Sequence, residues 1–388
     1  MKKILFLPFL QMRSGHHQVA EALMDIVEKQ LTGTMMKKVD LLSYANPQLE
    51  KMITSGYLKW IRYAPDTYDL AYKKFFYTAN DHSFKWHHYF FLKKMEQLLM
   101  EEKPDLIVCT HGFPSYLLSQ LKRKRKCDVP VINAYTDFFI NNVWGREEIE
   151  YHFVPSRDVK EELIKKHHLS EQRIIVTGIP VHPEISKTTM VKKRGSRPQI
   201  VISGGNSGLG GIVKLLKTSK QSSSCDFYVL CGNNQKLYQE ILSWNVDHIK
   251  PLPYLSSRAE MNKLYEKMDA IVSKPGGVTI SEVLQKRLPV FVHSVLPGQE
   301  EINLRYLTQK GLVFKLDPKA SFEQELLSIL NDPNRMNQWE QSILAYQNGI
   351  EMEGPIELAK MMNGVLEQEP LKPAGQVEQL KVYRLARA

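Results

Sequence analysis

SKPGGVTISE, at residues 273–282, is the stretch on which the fold turns, and PGQEEIN follows at residues 297–303. An apolar run at 268–272 precedes the first segment and reads as the end of a strand. The VTISEVLQK that follows carries its apolar residues at helical spacing. Gly276 and Gly277 therefore sit where a strand turns into a helix. A helix start presents free backbone N–H groups and the positive end of a dipole, which suits a diphosphate. Glycine lets a ligand approach the backbone without meeting a Cβ. Glu282 falls about one and a half turns into the helix, within reach of ribose hydroxyls beside that diphosphate. The same glycines also suit a tight turn with no ligand.

Outward from this turn, β-rich apolar runs alternate with helical patterns along most of the chain. Strands are predicted at 4–9, 106–110, 129–134, 151–154 and 174–177 in the first half, and at 200–203, 226–231, 249–252, 270–273, 289–292 and 312–314 in the second. Such alternation predicts an α/β fold of parallel sheets covered on both faces. Eleven strands exceed one such sheet, so two Rossmann-like, doubly wound domains are expected. The polar, basic stretch 186–198, SKTTMVKKRGSRP, marks the boundary. The expected units are 1–187, 198–365 and a loose tail at 366–388. QIVISGGNSGLGG, at 199–211, is a second glycine-rich turn after a strand, with Gly205 at its centre.

The chain has 388 residues, 43% of them apolar and 24% charged, enough for two cores. No window of 18 apolar residues could form a membrane span. MKKILFLPFLQM resembles a signal peptide, but its apolar run is short, Pro8 interrupts it and no small-residue cleavage site follows, so a buried first strand is expected. Cys109, Cys127, Cys225 and Cys231 show neither C-x-x-C nor zinc spacing, which suggests reduced thiols in the cytoplasm. The net charge of +10 is uneven: residues 1–195 hold 30 Lys and Arg against 22 Asp and Glu. A basic first half points to an anionic partner. The segment 57–91 holds 13 Phe, Trp and Tyr with lysines interleaved, more than one buried stripe requires. Aromatic rings and lysines favour the membrane–water layer. No nucleic-acid module surrounds them, so no nucleic-acid partner is expected. KRKRK at 122–126 reads as a solvated helix end that can add attraction to an anionic bilayer.

SGHHQVA from Ser14, YTDF from Tyr135, TGIPVHP from Thr177, SKPGGVTISE and PGQEEIN occur in this order. Together they resemble glycosyltransferase family 28, and within it the diacylglycerol glucosyltransferases and monogalactosyldiacylglycerol synthases, from about Lys3 to Gly364. The resemblance implies the GT-B architecture, two Rossmann-like domains facing across a cleft. It implies that Gly276, Gly277, Val278 and Thr279 cradle the diphosphate of a UDP-sugar and that Glu282 binds its ribose. Gln299 and Glu300 would face the sugar hydroxyls, and Tyr254 and Leu255 the uracil. In the first domain Gly15-His16 matches the family's Gly-His pair. A histidine there, with an unperturbed pKa near 6.5, can be neutral and basic at cytosolic pH. Asp137 is implied as a second base or as the orienter of His16, while His17 is expected on the surface. Two positions depart from the pattern. Arg13 stands where relatives carry glycine, and His182 where many carry arginine, which weakens an expected diphosphate contact.

The activity implied is inverting transfer of a hexose from a UDP-sugar to diacylglycerol or a glycosyl-diacylglycerol, by a peripheral enzyme on an anionic inner membrane face. No metal or other cofactor is expected, since no carboxylate pair suits a divalent ion. The alternatives are a family 28 transferase acting on a polyprenyl-linked or other acceptor, a UDP-sugar epimerase, and a non-catalytic UDP-sugar sensor.

Overall fold

A computed structural model describes residues 1–9, 14–53, 56, 67, 85–188, 195–204, 211–221, 223–296, 298–352 and 354–367. Twelve strands form two six-stranded sheets. The first holds β1 (Lys3–Leu7), β2 (Met35–Lys38), β3 (Leu106–Cys109), β4 (Val131–Ala134), β5 (Tyr151–Val154) and β6 (Ile174–Val176). The second holds β7 (Gln199–Ser203), β8 (Asp226–Leu230), β9 (Ile249–Leu252), β10 (Ala270–Ser273), β11 (Val290–Val292) and β12 (Phe314–Lys315). Every pairing is parallel, as a chain of strand–helix–strand crossovers requires. Ten of the eleven strands foreseen from apolar runs lie in these sheets at nearly the same residues, and the eleventh, at 312–314, begins two residues before β12. β2 was not foreseen. Its sequence, MMKK, is half lysine, and it sits at a sheet edge with alternate residues exposed.

Strand order places the functional region. The first sheet runs β2-β1-β3-β4-β5-β6, so the winding reverses between β1 and β3. The second runs β12-β11-β10-β7-β8-β9 and reverses between β10 and β7. The crevice beyond the carboxyl ends of strands at such a reversal is where open α/β sheets bind ligands. The loops that follow β1, β3 and β4 in one sheet, and β10 in the other, meet across a single cleft.

The helix Gly15–Gln30 follows β1 and buries Val19, Ala20, Leu23, Ile26 and Val27. Their three- and four-residue spacing makes one apolar face. That face meets the helix Pro355–Glu367, which returns from the second half and buries Leu358, Ala359, Met362, Val365 and Leu366. The expected tail therefore starts too early: residues 366–367 complete this helix, and 368–388 lie outside the described residues. The return path is pinned at β6, where Glu351 donates its backbone N–H to the Val176 carbonyl at 2.7 Å and accepts from the Val176 N–H at 2.9 Å. The largest core cluster accordingly mixes residues of both halves, among them Phe138, Ile179, Val278 and Leu304.

All four cysteines are free and buried. No described helix is long and apolar enough to cross a membrane. Most of the aromatic segment 57–91 lies outside the described residues. Of its described end, Tyr89 and Phe90 are exposed and Phe91 is buried. Three of the five KRKRK cations are held in ion pairs. Lys122 pairs with Glu150, Arg123 with Glu147 and Glu148, and Lys126 with Glu96.

Candidate active site

The helix Gly277–Gln285 starts directly after the β10 turn, with Gly276 as its N-cap and no side chain bonded to its first N–H groups. The helix Gly15–Gln30 starts in the same way: Ser14 is its N-cap, makes no capping bond, and its buried Oγ has no partner among the described residues. The two starts abut. A Cβ built on Gly15 would lie 3.2 Å from Val278 Cγ2. Two uncapped helix N-termini thus converge, each equivalent to roughly half a positive charge. Gly277 is held still closer. A Cβ there would lie far inside contact distance of the Thr136 carbonyl oxygen and 2.9 Å from Ile179 Cδ1. Only glycine lets this turn seat on the YTDF loop.

His16 is the second residue of its helix. Its Nδ1 lies 2.8 Å from the Thr110 carbonyl oxygen and 2.9 Å from Thr136 Oγ1. A carbonyl only accepts, so Nδ1 carries the proton and Nε2 keeps its lone pair. Burial lowers the His16 pKa to about 4, with the Thr110 bond opposing and His17 adding to the fall. At neutral pH His16 is therefore an uncharged imidazole in a fixed tautomer, with the Nε2 lone pair free to accept a proton. The ring of His111 meets it edge-on, 4.7 Å between centroids. His17 is not at the surface as expected. It is only 7% exposed, three residues before Ala20 on the buried face of the helix.

Asp137 follows in the loop after β4. Its Oδ1 accepts from Asn303 Nδ2 at 2.8 Å, and Asn303 Oδ1 accepts from the Phe138 N–H at 2.9 Å. Burial raises the Asp137 pKa to about 6, against the hydrogen bonds from Asn303 and Thr136. Asp137 does not orient His16 through a hydrogen bond, since Thr110 and Thr136 hold that nitrogen. Asn303 stands one turn into the helix Gln299–Gln309, almost wholly buried. Gln299 opens this helix behind Gly298, whose φ of 90° is a conformation glycine favours. Glu300 Oε2 accepts from the Leu296 N–H at 2.6 Å. Burial raises its pKa, Lys274 and the Leu296 bond lower it, and Asp137 raises it further.

Beside this group a cleft of about 340 Å³ opens between the halves. Tyr254, Leu255, Thr279 and Glu282 line one wall. Gln18, Glu21, Asp25 and His182 line the other. Glu282 is 5% exposed, accepts from Tyr265 Oη at 3.1 Å, and has Arg258 3.5 Å away. Burial raises its pKa, and Arg258 and Tyr265 oppose the rise. His182 Nδ1 accepts from the Glu184 N–H, so Nε2 donates to Asp25. His182 is thus engaged by a carboxylate. Gly205 and Arg13 lie outside the described residues. Among the described residues no three His, Cys, Asp or Glu side chains gather as a metal-ion cluster.

The structure brings His16, Asp137, Gly276, Gly277 and Val278 to one place, with Glu300 electrostatically coupled to Asp137. It sets Tyr254, Leu255, Thr279 and Glu282 around the adjoining cleft. Sequence reasoning passed over Thr110, Thr136, Asn303, Tyr265 and Arg258. Asn303 closes the PGQEEIN motif and Thr136 lies inside YTDF, so both carried a signal, but the others have none in local pattern.

A family model described as monogalactosyldiacylglycerol (MGDG) synthase matches residues 16–181. The uncharacterized glycosyltransferase YkoN of Bacillus subtilis (strain 168) is 44% identical over 316 residues, 81% of this chain and 84% of that one. A processive diacylglycerol beta-glucosyltransferase of Bacillus cereus (strain B4264) is 27% identical over 341 residues, 85% of this chain and 86% of that one. Among solved structures, the glycosyltransferase SnogD from Streptomyces nogalater superposes with a TM-score of 0.56 at 13% identity, covering 94% and 99% of the two chains. At that identity the likeness concerns the fold alone, and it is the two-domain GT-B fold expected.

Proposed function

From a chain that belongs to the family 28 glycosyltransferases of the monogalactosyldiacylglycerol synthase and diacylglycerol glucosyltransferase type, we propose an enzyme that moves one hexose from a UDP-sugar to the hydroxyl of diacylglycerol or a glycosyl-diacylglycerol at a membrane surface, inverting the anomeric carbon. The observation that carries this reading is the meeting of two uncapped helix N-termini, at Gly15 and Gly277, beside a neutral His16. Like ends of two dipoles are unfavourable together unless an anion sits between them. A nucleoside diphosphate leaving group is such an anion. The cleft beside it, with Glu282 and Tyr254, has the groups to hold ribose and base.

In the proposed step the acceptor oxygen forms a bond to the anomeric carbon as the bond to the β-phosphate oxygen breaks. The hydroxyl proton passes to His16 Nε2, and UDP departs with the bonding electrons. The two helix starts stabilise the growing phosphate charge, which is worth most in a site closed to water. Positioning acceptor and donor in one cleft removes several kcal/mol of barrier. The helix ends occupy the role a divalent ion has in other transferases, so chelators are expected to leave the rate unchanged.

Mass spectrometry of products from diacylglycerol vesicles and a panel of UDP-hexoses tests the reading. A hexosyl-diacylglycerol is expected. UDP binding with no lipid product would overturn the acceptor assignment.

A further inference from the structure

A line of aromatic rings runs along the carboxyl edge of the first sheet and ends at His16. Phe90 meets Phe91 at 5.3 Å between centroids, and Phe91 meets Phe113 edge-on at 5.1 Å. Phe113 meets Phe9 at 5.3 Å, and Phe9 stacks on His111 at 4.6 Å with 25° between planes. His111 then meets His16 at 4.7 Å. The five rings that lead to His16 come from three separate segments: the loop after β1, the cap and first turn of the helix Gly112–Arg123, and the helix Lys85–Glu102. Burial varies along the line. Phe90 is 43% exposed, Phe91 is buried, and Phe9, Phe113 and His111 are each half-buried.

Phe91 belongs to the core, and Phe9 and Phe113 pack part of their rings against it, but these two and His111 each leave part of the ring uncovered along the line to the candidate base. The inner end carries no charge. His111 Nδ1 accepts from the Phe113 N–H at 3.1 Å, and burial together with His16 holds its pKa well below the ordinary value. The outer end has the chemistry of a membrane–water layer. Tyr89 is exposed, with Lys93 Nζ over its ring at 4.6 Å. An apolar strip that ends at the proton acceptor of a transfer reaction faces the apolar part of the molecule being deprotonated.

We propose that the uncovered faces of Phe90, Phe113, Phe9 and His111, backed by the buried Phe91, form the rail along which an acyl chain of the acceptor lies, with its glycerol hydroxyl delivered to His16 Nε2. This rests on the acylglycerol reading above and adds the residues that select for the chain. Each methylene seated on the rail strengthens binding by up to roughly fourfold.

The test uses the full chain and glycerols carrying two acyl chains of two to six carbons, all below their critical micelle concentrations so that partitioning does not intrude. For the wild type, KM for the acceptor is expected to fall several-fold with each added methylene. Phe9→Ala and Phe113→Ala should flatten that dependence at unchanged donor KM, while Phe113→Leu restores most of it. A wild-type slope retained in both alanine variants would overturn the rail and leave the acylglycerol reading standing. Transfer to some other acceptor, with no product from any acylglycerol, would overturn both. A second measurement does not depend on the alanine variants folding. The four native cysteines are buried, so a Phe113→Cys thiol can be labelled selectively by a maleimide. Dihexanoylglycerol should slow that labelling at least fivefold and glycerol should not. Equal labelling with either compound would refute the rail.

Discussion

Replacing Gly277 by alanine sets two effects of opposite sign against each other. Gly277 is the first residue of a helix, and alanine is favoured over glycine in a helix interior by about 1 kcal/mol. Its φ is not among the positive values, so backbone strain plays no part. The new methyl would, however, lie 2.9 Å from Ile179 Cδ1 and 3.0 Å from the Thr136 carbonyl carbon, and closer still to the carbonyl oxygen. A backbone carbonyl cannot swing aside as a flexible side chain can, so the two loops must part by roughly an ångström. Overpacking of this kind costs about 1–3 kcal/mol and outweighs the helix preference. The larger effect is on chemistry. Thr136 also holds His16, so parting the loops moves the base relative to the donor, and a shift of about 1 Å can cost on the order of a hundredfold in rate. Gly277→Ala is therefore expected to lower kcat about a hundredfold and Tm by a few degrees. Gly276→Ala is the control. A Cβ there meets nothing within 4 Å, so Tm should hold and any loss should appear in donor KM. Hexosyl transfer and thermal melting read both variants. Wild-type kcat and Tm in Gly277→Ala would refute the contact between the two halves and the reasoning built on it.

His16→Ala should abolish turnover while UDP affinity, measured by calorimetry, stays nearly unchanged; wild-type rates would remove His16 from the mechanism. Glu282→Gln should raise donor KM by about tenfold, the worth of one charged hydrogen bond, at little cost in kcat; an unchanged KM would remove Glu282 from the ribose. The pH profile tests the titrating groups. His16, with its pKa near 4, stays neutral from pH 6 to 8, so an acid limb near pH 6 comes from a buried carboxyl group, and since burial also raises Glu282 and Glu300, the assignment to Asp137 requires that the limb vanish in an Asp137→Asn variant that retains measurable rate. Stability follows the same shifts with opposite signs. The His16 contribution is present above 6.5 and is lost as pH falls through about 4. The Asp137 contribution is present below 3.8 and is lost as pH rises through about 6. Relative to wild type, Asp137→Asn should therefore melt higher at pH 7 than at pH 4; an equal difference at both would refute the assignment.

The sheets were legible because their interior strands are short apolar runs, as in LIVC of β3 and AIVS of β10. β2 was not, because an edge strand needs only one covered face and can be written MMKK. The glycine turns were legible because close approach to a backbone demands glycine. The groups that tune the site were not. Thr110 and Thr136 lie 94 and 120 residues from His16, and Asn303 lies 166 from Asp137. They meet only because strand order brings three loops to one crevice, and no local pattern records that. The phase of the first helix did hold a readable sign for His17, since it precedes the buried Ala20 by three residues.

The clasp between the helices Gly15–Gln30 and Pro355–Glu367 also bears on how the protein is made. On the ribosome the first helix emerges early, and the helix it packs against, Pro355–Glu367, is translated hundreds of residues later. At ordinary elongation rates that interval is on the order of tens of seconds. Throughout it the nascent first sheet carries an uncovered apolar stripe, a natural target for chaperones and a source of aggregation. Contacts so distant in sequence also slow closure of the loop they complete. The assembled base and the finished clasp therefore arrive together, and a nascent chain cut short of residue 355 would carry the motif of His16 without a covered helix to hold it.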